Sequence, residues 1–282
     1  MDFTINPFSA LSGTIPVAAM QAYVIAMAVL VVLGTIADMV HKKSAQYFFE
    51  NAEKAKKSRE RAVGGGEKIG IAVQTIAADV LTSAEFCNQK RRVAHLLGMY
   101  GFVFFLFATI AMVFNYPTAG AATPAVWPIL WHLGALMVVV GGGWFWFFIR
   151  VDVSAEGNPW HRIVRADLFI LSLLATTLSG LIWSVLQAQG AQVWSSIFLA
   201  LFIVSSAVLF GGVLWSKFAH MFFKPAAAFQ KRVAKADGSM DNLPKPADRT
   251  DPADRDRHSM DLLKDAPLNM GLGIKRERPQ HY

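Results

Sequence analysis

Residues 193–225, VWSSIFLALFIVSSAVLFGGVLWSKFAHMFFKP, decide how the rest of the chain is read. From Val193 to Ser216 no side chain is charged, and the run then closes on Lys217, His220, Lys224 and Pro225. Crossing about 30 Å of hydrocarbon takes roughly 20 residues of helix, so the run predicts a membrane span near 193–218. Lysine and proline are ordinary punctuation for a helix leaving a bilayer. A histidine set among bulky apolar residues is not, and it asks for a partner.

Four further runs have the same grade, near 17–40, 93–114, 127–149 and 163–187. The chain is 54% hydrophobic and 17% charged, with a mean hydropathy of +0.37; soluble domains carry about 25% charged residues. The expected fold class is therefore an all-α integral membrane protein, a five-helix transmembrane bundle. Of the 27 basic residues, 11 fall between the first two spans, 3 between spans three and four, and 13 from Lys217 onward. Residues 1–16, 115–126 and 188–192 have none. The positive-inside bias then predicts the N-terminus outside and the C-terminus in the cytoplasm. The net charge of +7 is thereby read as topology, and no nucleic-acid partner is expected. Cys87, the single cysteine, excludes an internal disulfide and a clustered thiolate site. The start of the chain has no basic n-region, so the first run is expected to be a retained span.

Residues 1–225 read as the membrane domain and 226–282 as a polar tail. Within the loop 41–92, YFFENAEKAKKSRERA (47–62) reads as an extension of span one or a surface helix, ended by Gly64-Gly65-Gly66. IGIAVQTIAADVLTSAEF (69–86) is too short and polar to span, but suits the membrane interface or the underside of a partner. The tail, with PADRTDPADRDR at 246–257, reads as solvated chain or as a strap ordering on a partner through LLKDAPLNMGLGI (262–274).

Among the histidines, His41 and His161 lie in polar flanks, where solvation suffices. His132, beside Trp131 in the outer half of span three, admits an aromatic-belt role or a place near a quinone. His95, in RRVAHLLGMYG, and His220 stand at the same end of oppositely running spans, and so at matched depth. Intramembrane histidines are functional candidates by default, and two at one depth have the arrangement to ligate a haem iron from both faces. Gly98 and Gly101 would admit a flat macrocycle, and Arg91, Arg92 and Lys217 would meet its propionates. The alternative is a pair of snorkelling interface residues in a plain anchor.

The SKFAH…P ending, with His95 opening span two, resembles the membrane cytochrome b family that includes the nitrate reductase gamma subunit. Membrane subunits of heterodisulfide reductases and quinone-interacting oxidoreductases belong to the same group. The resemblance covers roughly residues 17–230 and implies that His95 and His220 hold one cytoplasm-side haem b. Positions 105 and 202, where the family has its outer haem ligands, are Phe105 and Phe202 here, so a second haem is not expected. Within the group the chain looks most like the membrane anchors of dissimilatory adenylylsulfate reductase. That implies a multi-pass protein of the bacterial inner membrane, docking a cytoplasmic flavin and iron–sulfur oxidoreductase and passing electrons to or from a quinone. Segments 69–86 and 150–165 would wall the quinone pocket, with Asp167 or His161 as a proton group. An ion pair of Asp167 with Arg162 or Arg165 is the plainer reading of that carboxylate. A haem-free docking module is the rival. A transporter or channel would need charges in the middle of spans, and Gly141-Gly142-Gly143 is the one candidate helix break.

Overall fold

The computed structural model describes residues 3–86, 88–152, 157–240, 243 and 251–253. In chain order the helices are α1 (Pro7–Leu11), α2 (Val17–Lys42), α3 (Ser44–Ser58), α4 (Gly65–Gln74), α5 (Gln89–Asn115), α6 (Val126–Trp144), α7 (Leu168–Ala188), α8 (Gln192–Gly211) and α9 (His220–Ala236). A π-helical turn, Thr75–Leu81, continues α4; another, Phe145–Ile149, continues α6; a 3₁₀ turn, Arg165–Asp167, opens α7. No strand occurs among the described residues. Five helices, α2 and α5 to α8 with their extensions, are long and apolar enough to cross a membrane. The protein is an all-α, five-span membrane protein.

Small residues set the packing, because apolar side chains gain nothing by leaving lipid for a neighbouring helix and close backbone approach must supply the contact. A Cβ on Gly101 would lie 2.7 Å from the Gly134 carbonyl oxygen, and one on Gly141 would lie 2.7 Å from that of Ala94. Helices α5 and α6 therefore cross almost backbone to backbone, the most extensive contact in the bundle, followed by α7 on α8. The Gly141-Gly142-Gly143 run does not break α6; its first two glycines seat neighbouring helices. Helix α2 stands at the edge, touching α8 and α5 and leaving Ile25, Val29, Leu33 and Ile36 exposed to the bilayer.

Alternating spans give the bundle two unlike ends. At the end bare of basic residues, Asn6 accepts hydrogen bonds from the Phe8 and Ser9 amides, and its Nδ2 donates to the Tyr116 carbonyl at 2.9 Å. This pins α1 so that Phe8 sits edge-on to Trp131 and Trp183, with Phe105 and Phe202 completing the aromatic cluster. At the charged end a layer of shorter helices covers the bundle. Arg232 of α9 binds Asp79 through two hydrogen bonds of 2.7 and 2.9 Å, and Lys224 meets Glu85 at 2.6 Å. The Glu60 and Arg61 amides both donate to the Asp237 carbonyl.

Three boundaries of the sequence reading take definite positions. Lys43, at a left-handed φ of 51°, separates α3 from α2, so 47–58 lies on a separate surface helix, the second of the two alternatives, and 59–62 lie beyond its end. Gly65 and Gly66 open α4, and the chain break lies just before them. The division at residue 225 falls inside α9, which runs through Pro225 to Ala236 and is tied to the layer by Arg232. The 246–257 duplicate falls mostly outside the described residues, and the 262–274 segment entirely so.

Candidate cofactor site at the charged end

His95 sits in the second turn of α5, just past Asn88, whose side chain caps the helix by accepting from the Lys90 and Arg91 amides. Its Nδ1 is 3.0 Å from Ser83 Oγ. Ser83 is fully buried and holds a left-handed φ of 48°, a strained backbone that persists only where the surroundings impose it. Two contacts from α5 impose it: Tyr100 donates to the Leu81 carbonyl and Arg92 to the Thr82 carbonyl, each at 2.7 Å. The 69–86 segment thus has a definite task, delivering a hydroxyl to one imidazole.

His220 arrives differently from the sequence expectation. The span-five helix stops at Gly211, with Gly212 beyond it, and residues 212–219 turn before His220 opens α9. The Gly211-Gly212 pair lets the helix end, and Ser216 Oγ accepts the Phe218 amide at 3.1 Å to hold the turn. His220 Nδ1 hydrogen-bonds the Lys217 carbonyl, and its ring stands edge-on to Phe169 at 5.7 Å. Burial holds this imidazole below the ordinary histidine pKa; Lys224 and Lys217 push the same way, against the hydrogen bond to Lys217.

The two histidines share surroundings. Both lie within electrostatic reach of Lys224 and Glu85, and His95 lies within reach of His220 itself. Lys224 Nζ and the Arg91 guanidinium both approach the Phe86 ring, which leans on His95 at 4.9 Å. Each imidazole has Nδ1 engaged, and among the described residues neither Nε2 takes a hydrogen bond. A ligating histidine ordinarily has its other ring nitrogen tied to an acceptor, which fixes tautomer and orientation. A Cβ on Gly98 would meet nothing within 4 Å, leaving open space one turn from His95. Two imidazoles, each oriented through Nδ1, are a donor type that haem iron takes.

Other expected site residues go elsewhere. Gly101 serves the α5–α6 crossing. Asp167 is paired with Arg150, and not with Arg162 or Arg165. Arg150 is fully buried; it binds both Asp167 oxygens and the carbonyls of Asn158, Pro159 and Arg162, and lies 4.2 Å from the Trp146 ring centre. Sequence reading missed Arg150 because it looks like any arginine ending a span. His161 is exposed beside Trp160. His132 is satisfied at both nitrogens, by the Pro128 carbonyl at 2.7 Å and Ser184 Oγ at 2.8 Å. Lys217 is exposed and lines a cleft of about 360 Å³ beside His220, walled by α2 and residues 216–227, not by 69–86 or 150–165.

No family model matches the chain, and no curated protein or solved structure matches it.

Proposed function

We propose that the chain is the membrane subunit of an electron-transfer complex, with His95 and His220 holding one b-type haem at the charged end. The observation that carries this reading is the pair of imidazoles from α5 and α9, both within reach of Lys224 and Glu85, each held through Nδ1 and, among the described residues, without a hydrogen bond at Nε2. Such a haem would supply a one-electron carrier between a two-electron quinone and a soluble redox enzyme. Ser83 and the Lys217 carbonyl orient the two ligands. Arg91, Lys217 and Lys224 supply the positive charge that propionates require. Phe86 and Phe169 keep water from the rings.

The charged end is read as cytoplasmic from the distribution of basic residues, in a bacterial inner membrane. On and just after α3 its layer exposes Lys54, Lys57 and Arg59, with Lys56 paired to Glu53 and Arg61 to Glu67; the first three can meet an acidic face on a soluble partner. The resemblance names that partner as a flavin and iron–sulfur oxidoreductase of the adenylylsulfate reductase kind, exchanging electrons with the quinone pool. The aromatic cluster at the bare end occupies positions where the family's outer haem would need ligands, which supports one haem and not two. It also gives the rival some support: a chain that has filled one cofactor site with aromatic rings could serve as a haem-free docking module.

A reduced-minus-oxidised spectrum of the purified protein, with haem-to-protein stoichiometry, tests the reading. One b-type haem per chain is expected, lost in His95→Ala and in His220→Ala and kept in His41→Ala. A wild-type protein without the b-type band leaves the docking module.

A further inference from the structure

Ile69, Val73 and Ile76 follow one another at helical spacing, and each is more than half exposed. Along α4 and the π-helical turn that continues it, that spacing sets them in one stripe. Gly70, Ala72 and Ala77 border the stripe, so this face carries no charge. The opposite side is held down: Ile71 and Thr75 are buried, and Asp79 binds Arg232 of α9.

The depth of the segment is set by α5. From Val93 to Phe114 that helix has no Asp, Glu, Lys or Arg, so its stretch within hydrocarbon begins near Val93. His95 and Tyr100, both inside that run, hold the end of the segment: Ser83 Oγ lies 3.0 Å from His95 Nδ1, and Tyr100 donates to the Leu81 carbonyl. Tyr100 stands about 10 Å past Val93 at 1.5 Å per residue. Its side chain leans back toward the start of the helix, which sets Leu81, itself exposed, beside the first turns of the apolar run.

The polar groups at this helix end are paired as lipid requires. A helix end leaves its last carbonyls open, yet Tyr100 takes that of Leu81 and Arg92 that of Thr82. The Ala78 carbonyl accepts both the Ala84 amide and the Thr82 hydroxyl, and the Thr75 hydroxyl turns back to the Ile71 carbonyl. A face in water or in a hydrated protein interface can leave such groups to solvent, whereas backbone at bilayer depth has to be satisfied from the protein. Of the two surroundings the sequence allows for 69–86, the bilayer and a soluble partner, this pairing favours the bilayer.

We propose that residues 65–83 form an interfacial segment, with Ile69, Val73, Ile76 and Leu81 sunk into the acyl chains of the leaflet at the charged end. Lys68, exposed beside the stripe, is long enough to reach lipid phosphates. Helix α9 then holds one side of the segment and lipid the other, so the bilayer helps to present the Ser83 hydroxyl to His95.

The test uses the full chain in a Cys87→Ser background, in nanodiscs of phosphatidylcholine and phosphatidylglycerol with no other protein. Ile69→Cys, Val73→Cys and Ile76→Cys each carry a nitroxide. Power-saturation EPR compares collisions with oxygen, which partitions into lipid, and with a nickel chelate, which stays in water. Oxygen should exceed nickel several-fold at all three, as at Val29→Cys on the exposed side of α2, while Ser58→Cys should favour nickel. Adding Val73→Asp should lift the stripe and swing the Ile69→Cys label toward nickel; an unchanged ratio counts against insertion. Nickel above oxygen at all three positions would overturn the proposal and return the face to a soluble partner. Weak collision with both reagents would overturn it too, as cover by protein such as a second copy. The labels report depth whether or not His95 binds haem, so a protein without the b-type band leaves the test intact.

Discussion

Arg150 and Asp167 show what one buried pair does in this bundle. Removing either partner strands a charge among helices, at a cost of about 3–5 kcal/mol. Arg150→Ala is therefore expected to lower the thermal midpoint in detergent sharply, because it also frees three carbonyls of the 158–162 turn. Arg150→Met combined with Asp167→Leu should recover part of that loss, since a pair replaced by apolar groups leaves no orphan charge. His220 makes a pH prediction. Burial depresses its folded-state pKa, so below about pH 6.5 the unfolded chain binds a proton that the folded chain refuses. Stability of haem-free protein should then fall as the pH drops from about 7 to about 5. In His220→Gln the decline should be shallower; equal slopes in urea titrations would count against a buried neutral imidazole.

At the scale of elements, the α5–α6 crossing depends on absent side chains. Gly101→Val places atoms within contact distance of the Gly134 carbonyl and should cost about 1–3 kcal/mol as overpacking, read as a lower detergent-unfolding midpoint. Gly98→Ala, only three residues away, should leave the midpoint nearly unchanged, because its Cβ meets open space. The latch between α9 and the π-helical turn is a second element-level device. Truncation after Pro225 removes Arg232 and frees Asp79, so the 59–86 segment should become far more sensitive to limited proteolysis. Truncation after residue 243 retains the latch and should leave the cleavage pattern of wild type.

Across the whole molecule, the two ends differ in charge and in what fills them. In a Cys87→Ser background, Ser58→Cys and Ala121→Cys should label from opposite sides of sealed vesicles, Ser58→Cys from the cytoplasmic side. Labelling of both from one side would refute the five-span alternation.

The five spans were legible because each is a long uncharged run, and hydrocarbon demands that property of every residue in the segment whatever its neighbours do. The same local reading put His95 near the start of a span, where α5 has it, and missed the turn before His220, because Gly211-Gly212 ends a helix only in the presence of a turn held by Ser216. Arg150 escaped notice, and so did the cleft beside His220, because burial is a property of the assembled bundle. Hydropathy is summed along one segment and survives without tertiary context. Whether a carboxylate finds a partner, or a glycine meets a backbone or a void, depends on which helix stands opposite, and only packing decides that.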